Sequence, residues 1–177
     1  YSAIGDEAAK RQDRELAVSA YRLAFACAPT KQASFDTLGR IILLLDQQKE
    51  IEEAALLAIR ALDLFKGPYA SPETKLRLGR ILRSAGKNLP AIELYLSLIQ
   101  DEKAPFELRK TAVRECAYLQ NAMNDEAGAR RTIRSFFNTE AMQPEAEFLL
   151  ADLLLRDNRT EEAAEAFQEL ATKYPSI

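Results

Sequence analysis

One phrase recurs five times in this chain: an Ala, then a bulky or small apolar residue four places on, then another apolar residue three places further. The copies are Ala17-Tyr21-Ala24, Ala54-Ala58-Ala61, Ala91-Tyr95-Leu98, Ala129-Ile133-Phe136 and Ala163-Phe167-Leu170. Twelve residues ahead of the opening Ala, or fifteen in the second copy, an apolar residue precedes a small one: Ile4-Gly5, Leu38-Gly39, Leu78-Gly79, Cys116-Ala117 and Leu150-Ala151. Two signals in one register constrain the fold to a repeated unit. Spacings of three and four are helical, so each unit reads as a helix carrying the apolar-small pair, a short turn, and a second helix carrying the Ala phrase. Only 6 Gly and 7 Pro interrupt 177 residues, which lets helix run nearly throughout, and no strand is expected.

The turns between the two helices carry residues that tolerate a left-handed backbone or cap the next helix: Gln12-Asp13, Ala85-Gly86-Lys87-Asn88, Asn124-Asp125 and Asp157-Asn158-Arg159-Thr160. Pro29 and Pro175 fall five residues beyond the last apolar position of their phrases, where a helix can end. Gly67-Pro68 and Ser71-Pro72 punctuate the join of the second and third units, Ser71 being placed to cap a helix that Pro72 begins. The second copy holds three extra residues, which the spacing assigns to its internal turn within Asp46 to Glu53, and a longer exit through Lys66 to Ser71.

The pattern resembles the tetratricopeptide repeat, a motif of about 34 residues that opens with Trp, continues with Leu-Gly and Tyr, and closes with Ala, Phe and Pro. In the first copy Tyr1 stands in the Trp slot, followed by Ile4-Gly5, Ala17, Tyr21, Ala24 and Pro29. The copy from Pro144 to Ile177 is the cleanest; the fourth departs most, with Val113 in the Trp slot, Gln120 in the Tyr slot and Ala129 placed only by register. The resemblance covers essentially the whole chain. It implies an all-α fold, a right-handed superhelical solenoid of about five tetratricopeptide-type helix-turn-helix repeats, in one domain over 1–177 with repeats at about 1–31, 32–71, 72–109, 110–143 and 144–177.

Small residues at the pair allow helix axes to approach to about 8 Å, so Gly5, Gly39, Gly79, Ala117 and Ala151 are the expected contact points, with Tyr21, Tyr95 and Phe167 filling the space between units. In such a solenoid the first helices line the concave wall. Their positions not needed for packing are Asp6 and Lys10; Asp36, Arg40 and Leu44; Leu76, Arg80 and Arg83; Arg114, Tyr118 and Asn121; and Phe148, Asp152, Leu155 and Arg156. Arg40, Arg80, Arg83, Arg114, Tyr118 and Phe148 are the candidate partner-binding residues, because Arg forks bind carboxylates and aromatic rings offer rigid apolar area. The alternative is that the arginines pair with Asp36, Glu73, Glu115 or Asp152 in a solvated face. The run Ile41 to Leu45 makes one first helix apolar almost all round, and the expected cover is burial within the solenoid.

Chemistry is poorly provided for. The chain has no His and no Trp, and its two cysteines, Cys27 and Cys116, are too few for a zinc site and read as small apolar fillers. No Gly-rich phosphate loop exists, and Glu52-Glu53 and Glu161-Glu162 suit the starts of second helices. No catalytic residue, cofactor or metal is expected. With 24 basic against 27 acidic side chains, net charge -3, nucleic acid is not the expected partner; nor is direct membrane insertion, since apolar runs such as Ile41 to Leu45 are far short of the roughly 20 residues needed to cross a bilayer. Within the resembled family, the two-carboxylate clamp that grips chaperone tails is broken here: Asp6 and Thr37 stand where it wants Asn, and Glu73 where it wants Lys.

The expected function is a protein-protein interaction scaffold that binds a partner segment, rich in acidic and apolar residues, in its concave groove. The phrase Glu165-Ala166-Phe167-Gln168-Glu169-Leu170 before Tyr174-Pro175 is similar to repeats in bacterial cell-envelope assembly and polymer-export scaffolds. It leaves open a secretion-linked module that recruits an enzyme to a membrane complex, periplasmic or attached through segments outside this stretch. Tyr1 opens within a first helix and Ile177 closes just after a second one, so the chain reads as a piece of a longer array, or one whose ends associate with another molecule.

Overall fold

The computed structural model describes residues 1–64 and 71–175. Ten α-helices occur among them: α1 (Ser2–Lys10), α2 (Arg14–Ala26), α3 (Lys31–Gln47), α4 (Ile51–Leu64), α5 (Pro72–Ser84), α6 (Asn88–Ile99), α7 (Phe106–Ala122), α8 (Glu126–Phe136), α9 (Gln143–Arg156) and α10 (Thr160–Lys173), with one 3-10 turn at Glu140–Met142. No strand occurs among the described residues. Gly67-Pro68, most of the exit from Lys66 to Ser71, and the chain end at Ile177 lie outside the described residues. The helices alternate as the spacing requires, the odd-numbered ones carrying the apolar-small pair and the even-numbered ones the Ala phrase.

The connections explain why the helices stop where they do. Gln12, Lys49, Gly86, Asn124 and Asn158 each adopt positive φ, between 59° and 68°. In each turn the N–H of the next residue bonds back five places to a helix carbonyl, as in Asp13 to Ala8 (2.9 Å), Glu50 to Leu45 (2.9 Å) and Lys87 to Leu82 (2.8 Å). That is the left-handed helix stop, which satisfies carbonyls the helix leaves orphaned. Caps then restart the chain: the Asp13 carboxylate accepts from the Leu16 N–H, the Thr30 hydroxyl from Ala33, the Ser71 hydroxyl from Thr74 and the Asp125 carboxylate from Gly128. Pro72 opens α5 after Ser71, as expected.

The left-handed residue lies seven places after the small residue in four pairs, Gly5 to Gln12 being one, but ten places after it in the second, Gly39 to Lys49. From the left-handed residue to the opening Ala the count is five in every pair, as in Lys49 to Ala54. The three extra residues of the second copy are therefore not in the turn, contrary to the reading from spacing. They lengthen α3, because the turn is built by local hydrogen bonds that admit one length while a helix can absorb extra residues at its end.

Two compact units make up the chain, Tyr1–Leu94 and Tyr95–Ile177. In the first, α1 packs on α2, α2 on α3, α3 on α4 and α4 on α5. Ala17, Ala54, Ala58, Leu78, Leu82 and Ala91 are buried there. Gly5 is a true contact point: a Cβ at that position would lie 2.4 Å from Cε1 of the buried Tyr21 ring. Gly39 is not, since a Cβ there meets nothing within 4 Å. The lengthened α3 brings Ile41, Ile42, Leu44 and Leu45 into the interior, where all four are buried, so the apolar run finds its cover inside the fold. In the second unit α7 packs on α8 and α9 on α10, around Val113, Ala117, Ile133, Leu149 and Ala151. The atypical fourth pair fits because Gln120, in the Tyr slot, is buried with its side-chain oxygen accepting from Thr132 Oγ1 at 2.8 Å.

Candidate functional site

On the first unit, Arg40 of α3 does not point alone into solvent. Its guanidinium donates to Asp6 of α1, and the second oxygen of Asp6 accepts from the Tyr21 hydroxyl at 2.8 Å. Asp6 is 34 residues before Arg40, one repeat back in the same slot. The hydrogen bond from Arg40, with the one from Tyr21, holds the Asp6 carboxyl below its usual range against the opposing effect of burial. Burial, with Asp6 beside it, pushes the Tyr21 phenol up to about 12. Asp36, the partner weighed for the arginines from sequence, instead accepts from Gln32 at 2.8 Å. Arg80 and Arg83 are exposed on α5. Leu44 and Leu76, expected among the ligand-facing positions, are buried, because the packed face of each first helix is wider than a two-residue motif implies.

On the second unit the candidates converge. Asp152 of α9 accepts from the Tyr118 hydroxyl and, at 3.0 Å, from Arg156 Nε. The Arg156 guanidinium lies over the Tyr118 ring, 3.8 Å from its centre, so Arg156 covers one ring face while Asp152 holds the hydroxyl. Burial draws the Asp152 carboxyl up, but hydrogen bonds from Tyr118 and Arg156 and the charge of Arg114 outweigh it and leave the group below its ordinary value. Asn121, buried rather than ligand-facing, donates to Asp157 at 2.6 Å. Phe148 is 48% exposed, its ring 5.5 Å from Phe167 of α10, and Leu155 is 46% exposed. Phe148, Asp152 and Leu155 are spaced by four and three, a single stripe along α9. Arg114 and Tyr118 form the matching stripe on α7.

Arg114, Tyr118 and Phe148 lie on α7 and α9, and Asp152, weighed from sequence as a partner for the arginines, also accepts from Tyr118, a pairing the sequence analysis did not include. A signal was available, since Asp6 with Arg40 and Tyr118 with Asp152 are each 34 residues apart. Equal slots in successive first helices are neighbours, and complementary residues there bond across the helix boundary. Among the described residues no group of three or more His, Cys, Asp or Glu side chains is arranged to hold a metal ion. Cys116 is buried, which pushes its thiol up to about 12, far from a reactive thiolate. No helix is long and apolar enough to cross a membrane among the described residues.

Stacked helix pairs with laced polar faces define an all-helical repeat protein. Residues 145–176 match the family model of the tetratricopeptide repeat. No curated protein matches the chain by sequence. Among solved structures it is similar to MamA, at TM-score 0.66 and 16% identity over 99% of this chain and 96% of that one. It is also similar to the tetratricopeptide-like repeats of a putative kinesin light chain from Podosopora anserina, at TM-score 0.69 and 13% identity over 97% and 92% of the two chains. A third is pilF of Pseudomonas aeruginosa, at TM-score 0.59 and 17% identity over 97% and 74%. The fold is that of the tetratricopeptide-repeat proteins, as the resemblance implied.

Proposed function

We propose that the chain is a non-catalytic scaffold that binds protein segments on the outward faces of its first helices. The observation that carries this reading is the surface of the second unit. Phe148 and Leu155 are exposed apolar side chains flanking a rigid Tyr118-Asp152-Arg156 network, with Arg114 at its edge. Apolar area next to preordered Arg and Tyr is the composition of interaction hot spots, and side chains already held by hydrogen bonds lose little entropy when a partner docks. Arg40, Arg80 and Arg83 would contribute the same chemistry on the face of the first unit. The preferred segment carries Asp or Glu to meet Arg114 and Arg156, and Leu or Phe to cover Phe148.

Selection from a displayed library of random peptides tests this. Recovered sequences should pair acidic with large apolar residues, and should lose affinity for a protein carrying Arg114→Glu and Phe148→Ala. Peptides that bind that variant as well as the parent would place recognition elsewhere.

A further inference from the structure

The second-helix side of the first unit holds a cleft of about 680 Å3, walled by α2 and α4 and floored by α3. Its floor belongs to the lengthened α3. Three added residues advance a helix by about 4.5 Å and rotate it by about 300°. The floor is Leu38, Ile41 and Leu45, one stripe at spacings of three and four, and Val18, Phe25 and Leu57 form the apolar walls.

Charge on the rim is divided between the two ends. α2 and α4 are each antiparallel to α3 and so run the same way, which puts Arg14, Glu15 and Glu53 at one end and Arg22 and Arg60 at the other. Arg14 is neutralised by Glu50. Among the described residues nothing pairs with Glu15, Glu53, Arg22 or Arg60. The cleft thus offers an apolar floor with two carboxylates at one end and two guanidinium groups at the other.

We infer that this cleft receives an amphipathic helix of a partner protein, lying parallel to α3, with acidic residues near its N-terminus against Arg22 and Arg60 and basic residues near its C-terminus against Glu15 and Glu53. Aliphatic side chains at spacings of three and four cover the floor. The order of charge is the one that favours a helix in its own right, acid at the N-terminus and base at the C-terminus. From Arg14 to Phe25 the wall is about 17 Å long, three turns of helix. An anionic amphiphile would match the Arg22 and Arg60 end but would lay its apolar tail against Glu15 and Glu53. The site is on different helices from the α7 and α9 surface that carries the proposed function and stands whether or not that surface binds.

The probe is a fluorescent synthetic helical peptide of about four turns with that charge order and a Leu stripe, measured by anisotropy. A second peptide with the two charged ends exchanged serves as control. The probe should bind better than the control, shift the methyl resonances of Val18, Ile41 and Leu57, and bind a variant carrying Arg114→Glu and Phe148→Ala as well as the parent. Arg22→Glu with Arg60→Glu, both exposed and so compatible with folding, should weaken the probe roughly tenfold and favour the control. Equal affinity of the two peptides, no loss in the double variant, shifts on α7 and α9 instead, or no binding at millimolar peptide would each overturn the assignment. Saturation by sodium decanoate with no peptide binding would give the cleft to an anionic amphiphile and overturn it equally.

Discussion

Gly5 and Gly39 occupy the same motif position, yet alanine at each is expected to act in opposite directions. At Gly5 the new methyl would sit 2.4 Å from Cε1 and 2.5 Å from Cδ1 of Tyr21, a ring that is only 3% exposed and whose hydroxyl is tied to Asp6 at 2.8 Å. The ring has nowhere to retreat without breaking that bond. Overpacking of this kind costs about 1–3 kcal/mol and the lost hydrogen bond about 1 kcal/mol more, against a gain of about 1 kcal/mol from better helix propensity. Gly5→Ala should therefore destabilise the first unit by about 2 kcal/mol. At Gly39 nothing lies within 4 Å of the added methyl and the residue is inside α3, so only the propensity gain remains, about 0.5–1 kcal/mol of stabilisation. Urea unfolding followed by circular dichroism measures both, with a Trp introduced at the exposed Leu23 of the otherwise Trp-free chain to report on the first unit, because repeat proteins need not unfold in one step. Equal destabilisation by the two substitutions would refute the distinction between a contact glycine and a solvent-facing one. No effect at Gly5 would refute the rigidity ascribed to Tyr21.

Leu78 is 2% exposed, and Leu78→Ala should lower stability by about 2–5 kcal/mol in the same assay. Asp6 and Asp152 are held below their ordinary values, so the stabilisation they bring is complete above about pH 4, the ordinary value of an unfolded Asp, and is lost as pH falls through the lowered ones. Asp6→Asn combined with Asp152→Asn should flatten that acid limb in a pH series of melting curves. Cys27 is exposed and Cys116 buried with its thiol raised to about 12, so a thiol reagent at neutral pH should label one cysteine per folded chain and the second only on unfolding.

The repeated phrase was sufficient to read helix order, the turn sites and most of the core, because Ala at a helix crossing and a left-handed residue at a helix stop are local demands. Gln12, Asn124 and Asn158 adopt the left-handed conformation their turns implied, and Ala17, Ala54, Ala91, Ala129 and Ala163 are all buried. The candidate site was legible as a set of positions, since slot counting puts Arg114, Tyr118 and Phe148 on first helices. Their bonding was not, because Asp152 and Arg156 come from the next helix pair and nothing in a linear pattern weighs solvent against a neighbour.

Local chemistry, repeated five times, thus dictated which residues form helices and which faces those helices hide. The folded structure decided the rest. Whether three additional residues enlarge a turn or a helix depends on which hydrogen bonds close, and here the same turn closes after α3 as after the other first helices. The lengthened α3 buries Ile41 to Leu45 apart from the half-buried Leu43 and floors the cleft between α2 and α4, and the space at Gly39 is open where Ala58 holds the slot that Tyr21 fills over Gly5. A helix rotates its side chains by about 100° per residue, so a small insertion redirects every contact beyond it, and only the assembled neighbours reveal where those contacts land.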